Sequence, residues 1–398
     1  MKKTISVVAL ASLFAAGSAM ATGYRIPEQS VDSTAKVGAS IASADSADAA
    51  YYNPAGMSDL ADTWQVEGTA TYLHLTSIDY ADNAIPQFDG SSEKENFLLP
   101  TFFVVSPDYN NFRFGFSLTE TYGLQKRWND PYPRASAQKF SLTVFEFNPT
   151  ASYKINEMFS IGAGVRILYN EATVSTNAAA FGQNSLYLDG DTVEWGYNLA
   201  VDAKFTDNLK MALTYRSNVD LDFEGDATLY PAGGGALSIS GAKTTIPAPA
   251  VLALSTAYTV DQWTFDLTID QTFWSEYENL VFDFGPGLPP IASPKNWDDT
   301  LCVRLGVEYR LNPTLTLMGG IAYDDNPVPD ANVGFELPDS DAWLFSFGAK
   351  YQMSEQLELG AAILYDYKEE RDVTNARING EFSNASAFLL SFGVNYKF

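Results

Sequence analysis

The chain ends Phe388-Leu389-Leu390-Ser391-Phe392-Gly393-Val394-Asn395-Tyr396-Lys397-Phe398. Leu390, Phe392, Val394, Tyr396 and Phe398 are apolar at every second position, with Ser391, Gly393, Asn395 and Lys397 between them. Successive side chains of a strand point to opposite faces. One face of this strand is therefore apolar and closes on an aromatic. Such a strand suits a barrel with lipid outside and water inside. It also suits the last strand of a soluble sandwich, so the choice rests on the rest of the chain.

The other end narrows that choice. Lys2 and Lys3 precede an apolar run from Ile5 to Ala16 and an Ala19-Met20-Ala21 cleavage site. This is the pattern of a secretory signal peptide over residues 1–21. The run is about half the ~20 residues that a spanning helix needs, and no other segment approaches that length. Yet the chain holds 26 Phe, 22 Tyr and 7 Trp. Aromatic content that high, without long apolar runs, fits strands with one lipid face and interfacial girdles. A net charge of −25 argues against nucleic acid, whose binding needs basic surface. A lone cysteine, Cys302, excludes an intramolecular disulfide framework.

From Trp64 onward, alternating runs of roughly 11–15 residues recur to the end, separated by alternately short and long connections. Phe112, Phe114, Phe116 and Leu118 alternate with Arg113, Gly115, Ser117 and Thr119; Trp263, Phe265, Leu267 and Ile269 alternate with Thr264, Asp266, Thr268 and Asp270. The expected fold is all-β: a transmembrane antiparallel β-barrel of about 14 strands over residues 63–398. Two of its strands are expected at 209–223 and 245–258. A barrel so wide is not filled by its own inward side chains. Residues 22–62, rich in Ala, Ser and Asp and without sustained alternation, are the expected N-terminal plug (hatch), with Ser43, Asp45, Ser46 and Asp48 able to bond to inward-facing arginines. The alternative is a disordered periplasmic tail. In the third strand the next outward position after Leu118 is Glu120, where a charge toward lipid is unfavourable. A bulge or bend would re-aim it, unless Glu120 lies above the hydrocarbon zone.

Several blocks carry a family resemblance. Tyr51-Tyr52-Asn53-Pro54-Ala55-Gly56-Met57 contains an Asn-Pro-Ala motif. Thr121-Tyr122-Gly123-Leu124 followed by Trp128, Leu213-Thr214-Tyr215-Arg216-Ser217, Tyr323-Asp324-Asp325-Asn326-Pro327-Val328-Pro329 and Leu337-Pro338-Asp339-Ser340-Asp341 follow in order. Together they resemble the FadL family of outer-membrane transporters for long-chain fatty acids and other hydrophobic compounds, along nearly the whole mature chain.

The resemblance implies a 14-stranded barrel, a lumen plugged around Asn53, Pro54 and Ala55, and passive transport. Hydrophobic ligand would be captured among the outer loops and pass to an apolar pocket. It would leave sideways into the membrane through a gap at an inward kink of the third strand, near Glu120, Thr121, Tyr122 and Gly123. Tyr24 falls where the family puts an aromatic close to the pocket. Candidate partners for a fatty acid carboxylate are Arg166 and Arg216, expected to point inward, and Lys368 and Arg371 of the last outer loop. The fifth-strand end, Tyr169-Asn170-Glu171, lacks the family's basic residue, which leaves room for neutral aromatic or aliphatic hydrocarbons. The expected partners are the hydrophobic ligand, outer-membrane lipid and lipopolysaccharide. The barrel assembly machinery would read the terminal Phe398, and the chain is expected to be a monomer in the bacterial outer membrane. No cofactor or metal is expected, nor catalysis. The single histidine, His74, has no serine motif beside it and gives no triad. A general porin or adhesin barrel is the remaining alternative.

Overall fold

The computed structural model describes residues 23–398; the expected signal peptide lies outside the described residues. Fourteen antiparallel strands close a barrel. They are β1 (Gln65–Leu75), β2 (Glu95–Val105), β3 (Phe112–Arg127), β4 (Lys139–Lys154), β5 (Phe159–Ser175), β6 (Ser185–Lys204) and β7 (Leu209–Arg216). They continue as β8 (Val251–Val260), β9 (Trp263–Thr272), β10 (Thr300–Asn312), β11 (Leu315–Asp324), β12 (Ala342–Gln352), β13 (Leu357–Lys368) and β14 (Ser386–Lys397). β1 pairs with β14 from Gln65 opposite Lys397 to Leu75 opposite Ala387. Beyond the last pair, Trp64 and Phe398 exchange two backbone hydrogen bonds of 3.1 and 3.0 Å. The terminal aromatic thus completes the seam.

The alternation of the last strand sorts its side chains as a barrel requires. Phe392 and Val394 face outward, 57% and 47% exposed, while Leu389 and Ser391 are buried. The same outward apolar face runs around the wall, from Phe114 on β3 to Trp195 on β6 and Phe347 on β12.

Two expected strands, at 209–223 and 245–258, prove to be broken. β7 stops at Arg216 and β8 starts at Val251. Between them Val219–Tyr230 and Leu237–Ala248 form a hairpin that adds to the outer half of β6. Two features end the ladder. Ser217 bonds to Tyr197 through both its amide and its hydroxyl, at 2.9 Å each. Pro247 and Pro249 have no N–H to offer.

Residues 24–60 are buried almost throughout and lie against the inward faces of the strands. Two short helices, α1 (Val31–Ala35) and α2 (Ala49–Tyr52), precede a 3₁₀ turn at Pro54–Asp59. The Ser30 hydroxyl caps α1 by accepting from the Ser33 amide at 3.1 Å. The ties to the wall run around the barrel. Lys36 reaches Asp266 on β9 (3.0 Å), and Asp32 receives Lys350 of β12 (2.7 Å). Thr34 meets Ser391 on β14 (2.9 Å), and Asp59 pairs with Lys210 of β7 (2.9 Å). Of the polar residues expected to meet arginines, Asp45 pairs with Lys350, Ser43 accepts from Lys36, and Ser46 donates to Glu67 on β1. Arg113 of β3 does grip the segment, but through the Leu60 and Ala61 carbonyls.

The Asn-Pro-Ala motif is part of this docking. The Asn53 side chain accepts from the Gly56 amide (3.1 Å) and donates to Asp202 of β6 (2.7 Å). Pro54 opens the 3₁₀ turn, where a missing N–H costs nothing. The wall at Gly162 lies so close that a Cβ there would come within 2.4 Å of the Ala55 amide nitrogen. Only glycine permits that approach.

Candidate functional site

The wall parts at the seam between β2 and β3. β2 and β3 pair only from Val105 opposite Gly115 to Phe102 opposite Leu118. Continued register would set Thr101 opposite Thr119 and Pro100 opposite Glu120, but β3 departs there. On its other side β3 stays paired with β4, with a register slip between Glu120 and Tyr122 that leaves Thr121 as the extra residue. Such a bulge bends the strand that carries it. Thr119 to Tyr122 are all buried.

The bent edge is taken up by the N-terminal segment. The Ile26 amide donates to the Thr121 carbonyl (2.9 Å), and the Gly123 amide donates to the Tyr24 carbonyl (2.8 Å). Arg25 and Tyr122 form an antiparallel bridge. The Gln29 side chain closes both polar groups of one peptide residue: its Nε2 donates to the Glu120 carbonyl (2.7 Å) and its Oε1 accepts from the Glu120 amide (3.0 Å). Thr101 of β2 donates to the Gln29 carbonyl (2.7 Å). Gln29 therefore occupies the place of the missing β2–β3 ladder. Backbone groups exposed to hydrocarbon cost several kcal/mol each, so a parted seam needs such a substitute.

At the long-loop end of the barrel lies a cavity lined by Tyr24, Leu142, Ile246, Tyr277, Lys295 and Trp297, with Glu336 at its edge. Tyr24 packs edge-on to Trp274 and Tyr277, with ring centroids at 4.6 and 6.3 Å, and its hydroxyl donates to the Pro247 carbonyl. Burial, reinforced by Tyr277 and Tyr122, holds the Tyr24 phenol well above its usual range. Lys295 pairs with Glu336. Burial would raise the Glu336 carboxyl, but Lys295 outweighs it and holds it below the usual range. Its side chains nearly fill the cavity, leaving about 20 Å³ of open space, so a larger ligand needs side chains or loops to move. At the short-turn end is a polar vestibule of about 690 Å³ lined by Asp59, Arg113, Lys154, Lys210 and Arg310. The N-terminal segment lines part of each, the first through Tyr24 and the second through Asp59.

Of the residues expected at a ligand pocket, the structure brings only Tyr24 to this cavity. Arg166 is fully buried and bonds to Glu146 of β4 at 3.0 Å. Arg216 pairs with the same Glu146 and stands over the Tyr51 ring at 4.3 Å. Lys368 pairs with Asp339, and Arg371 holds the loop after β11 through Asp330 (2.7 Å) and the Val328 carbonyl (2.5 Å). These cations are occupied by the wall and loops. Lys295, Tyr277 and Trp297 were not singled out in the sequence. The Trp274, Tyr277, Trp297 spacing around a loop was the available signal, because three large aromatics in one connection need a shared place to pack. Among the described residues no three His, Cys, Asp or Glu side chains group so as to hold a metal ion.

The sequence profile of the outer membrane protein transport protein family (OMPP1/FadL/TodX) matches residues 12–398. The chain is 25% identical to the long-chain fatty acid transport protein of Escherichia coli (strain K12), over 78% of this chain and 80% of that one. It is 27% identical to outer membrane protein P1 of Haemophilus influenzae, over 99% of each. Two crystal structures share its fold. A FadL homologue of Pseudomonas aeruginosa superposes with a TM-score of 0.85 at 21% identity, covering 95% of this chain and 100% of that one. The toluene transporter TodX of P. putida superposes with a TM-score of 0.74 at 19% identity, covering 93% and 98%. A profile match over nearly the whole sequence, on a closed 14-stranded barrel, assigns the protein: the chain belongs to the outer membrane protein transport protein family (OMPP1/FadL/TodX) and is a β-barrel of the bacterial outer membrane.

Proposed function

We propose that this chain is a passive transporter of hydrophobic molecules, long-chain fatty acids first among them, with residues 22–62 as the plug of the lumen. Cargo is captured among the outer loops, enters the cavity beside Tyr24, and leaves sideways into the membrane between β2 and β3. The observation that carries this reading is the parted seam, where the first described residues of the plug stand in for the missing ladder. A route closed by the plug itself can be opened by shifting the plug, without breaking the barrel. An apolar exit lowers the desolvation barrier for an acyl chain, since burial gains about 0.8 kcal/mol per CH₂. A water-filled pore would not.

Relatives named for fatty acid transport support the first cargo. Neutral aromatic or aliphatic hydrocarbons are the second reading. It is favoured by one observation: Lys295, the cation at the cavity, is already neutralised by Glu336. Family members are transport proteins, and we read no catalytic role; His74 lies beside the Asn96 side chain at 2.8 Å. We further read the chain as a monomer that contacts lipid and lipopolysaccharide through its apolar face and is recognised by the barrel assembly machinery through Phe398.

The test is a binding and uptake screen of the purified barrel with dodecanoic acid, dodecane and toluene. Saturable binding of at least one class, with protein-dependent uptake into liposomes, is expected. Failure of all three, or large steady ion currents in planar bilayers, would replace the transporter with a porin.

A further inference from the structure

The exit seam contains a carboxyl group with nothing to bind. Glu120 is fully buried, and neither of its carboxyl oxygens has a hydrogen-bond partner among the described residues. Its backbone, by contrast, is pinned on both sides by Gln29. Glu120 stands opposite Phe145 across the β3–β4 ladder, in the same phase as Leu118 opposite Phe147. Phe147 is on the outer face, 39% exposed. Residues directly opposite share a face, so Glu120 belongs to the membrane side of a strand that has been drawn inward.

Arg25, Glu146 and Glu95 on the elements around it have ion-pair partners of their own, and Lys126 farther along β3 reaches Ser92 at 3.5 Å. Glu28 is the exception, with neither carboxyl oxygen hydrogen-bonded among the described residues. Arg25 bonds to Asp270 at 2.5 Å, Glu28 lies 3.8 Å from Arg304, Glu146 is shared by Arg166 and Arg216, and Glu95 on β2 holds Arg127. Tyr122 donates its hydroxyl to the Pro249 carbonyl at 2.9 Å. An unpaired carboxyl in a dry seam is costly and needs a partner to offset that cost. A carboxyl group offers both a donor and an acceptor when protonated. Its natural complement is a second carboxyl group: two carboxyls in contact share one proton, because both cannot ionise there.

We infer that Glu120 is an exit subsite for the head group of carboxylic-acid cargo, pairing with it carboxyl to carboxyl as the acyl chain passes between β2 and β3. This rests on the sideways route proposed above and adds the substrate class that the route serves best. In the cavity the lining cation Lys295 is paired with Glu336; Glu120 would face the head group at the wall. Cargo without a polar head gains nothing from the site.

The experiment compares dodecanoic acid with dodecane in liposome uptake by the full chain, Glu120→Leu and Glu120→Gln. Glu120→Leu should slow dodecanoic acid roughly tenfold, the scale of one lost hydrogen bond at a buried site, and leave dodecane unchanged. Glu120→Gln keeps a donor and an acceptor and should stay within about threefold of the parent. A second readout does not depend on how well the leucine variant folds. In the parent, dodecanoic acid should shift a carboxyl C=O infrared band that is absent from Glu120→Gln. Equal effects of Glu120→Leu on both cargoes, or an unmoved band, would overturn the subsite while leaving transport standing. If neither cargo shows protein-dependent uptake, the transport reading fails and the subsite with it.

Discussion

The barrel has two seams that a reader of the sequence would draw alike and the fold draws differently. Between β1 and β14 the ladder runs unbroken from Gln65–Lys397 to Leu75–Ala387. Between β2 and β3 it stops after Phe102–Leu118. Both pairs of strands alternate, and both carry an apolar outer face. The differences are local: Pro100 has no N–H, Glu120 sets a charge where the outer face should be apolar, and Thr121 is one residue too many for the ladder with β4. The intact seam is held by its own backbone. The parted seam is held by a third piece of chain, Tyr24 to Gln29. Regular alternation makes a wall held by its own ladders, and breaking it at one strand leaves a place held by a side chain and a neighbouring segment instead.

Several measurements can break or sharpen this contrast. The largest effect should come from removing residues 23–62. Ion conductance in planar bilayers should rise from near zero to that of an open pore, and an unchanged trace would place the segment outside the permeation path. Next is Phe392→Arg on the outer face of the intact seam. Charge on the lipid face costs about 2–4 kcal/mol near the bilayer midplane, so the urea midpoint of the folded barrel in lipid should fall. An unaltered midpoint would argue that this face does not meet lipid.

Gln29→Ala should act on the parted seam alone. It removes the two bonds to the Glu120 peptide and a third to the Ile26 carbonyl. Amide exchange at Glu120 and Gly123 should quicken about tenfold, while amides of β1 and β14 keep their protection. Uniform acceleration would mean that the two seams open together.

The smallest effect concerns pH. Burial pushes the Glu28 carboxyl up to about 7, with Arg304 opposing. A raised folded-state value means that the docked segment holds the proton more tightly than the free one. The stabilisation is full below the ordinary carboxylate range and is lost as pH rises through about 7. Glu28→Gln should therefore stabilise the docked segment at pH 8 and do little at pH 5. Limited proteolysis of residues 23–62 reads this, and a pH-independent result would exclude Glu28 as the titrating group.

Much of the barrel was legible because its signal has period 2 and repeats in every strand. A failure of that signal was legible too: the outward series of β3 breaks at Glu120, and the ladder slips between Glu120 and Tyr122. Pro100 was harder to read. It keeps its place opposite Ala70 on the β1 side, so the strand pattern shows no defect. The breaks after Arg216 and before Val251 were missed because alternation resumes in phase in the hairpin beyond. The cavity was the least legible part. Lys295 and Glu336 lie in separate long connections, 41 residues apart, and meet only through loop packing that has no period. The inward arginines could be placed on the correct face, but not matched to Glu146: Arg166 reaches it from the adjacent strand and Arg216 from three strands away, and neither pairing leaves a mark on local sequence.

The proposed route takes cargo out through the seam that the N-terminal segment clasps. It is tested most directly by completing that seam. Deleting Thr121 and replacing Pro100→Val removes the extra residue and restores the missing N–H, so that β2 and β3 can pair beyond Phe102–Leu118. In this variant, dodecanoic acid should still bind the folded barrel, while protein-dependent uptake into liposomes falls at least about tenfold, as when a required path is closed by a few ladder hydrogen bonds. Uptake at the parent rate through a wall with a completed β2–β3 ladder would contradict the sideways route.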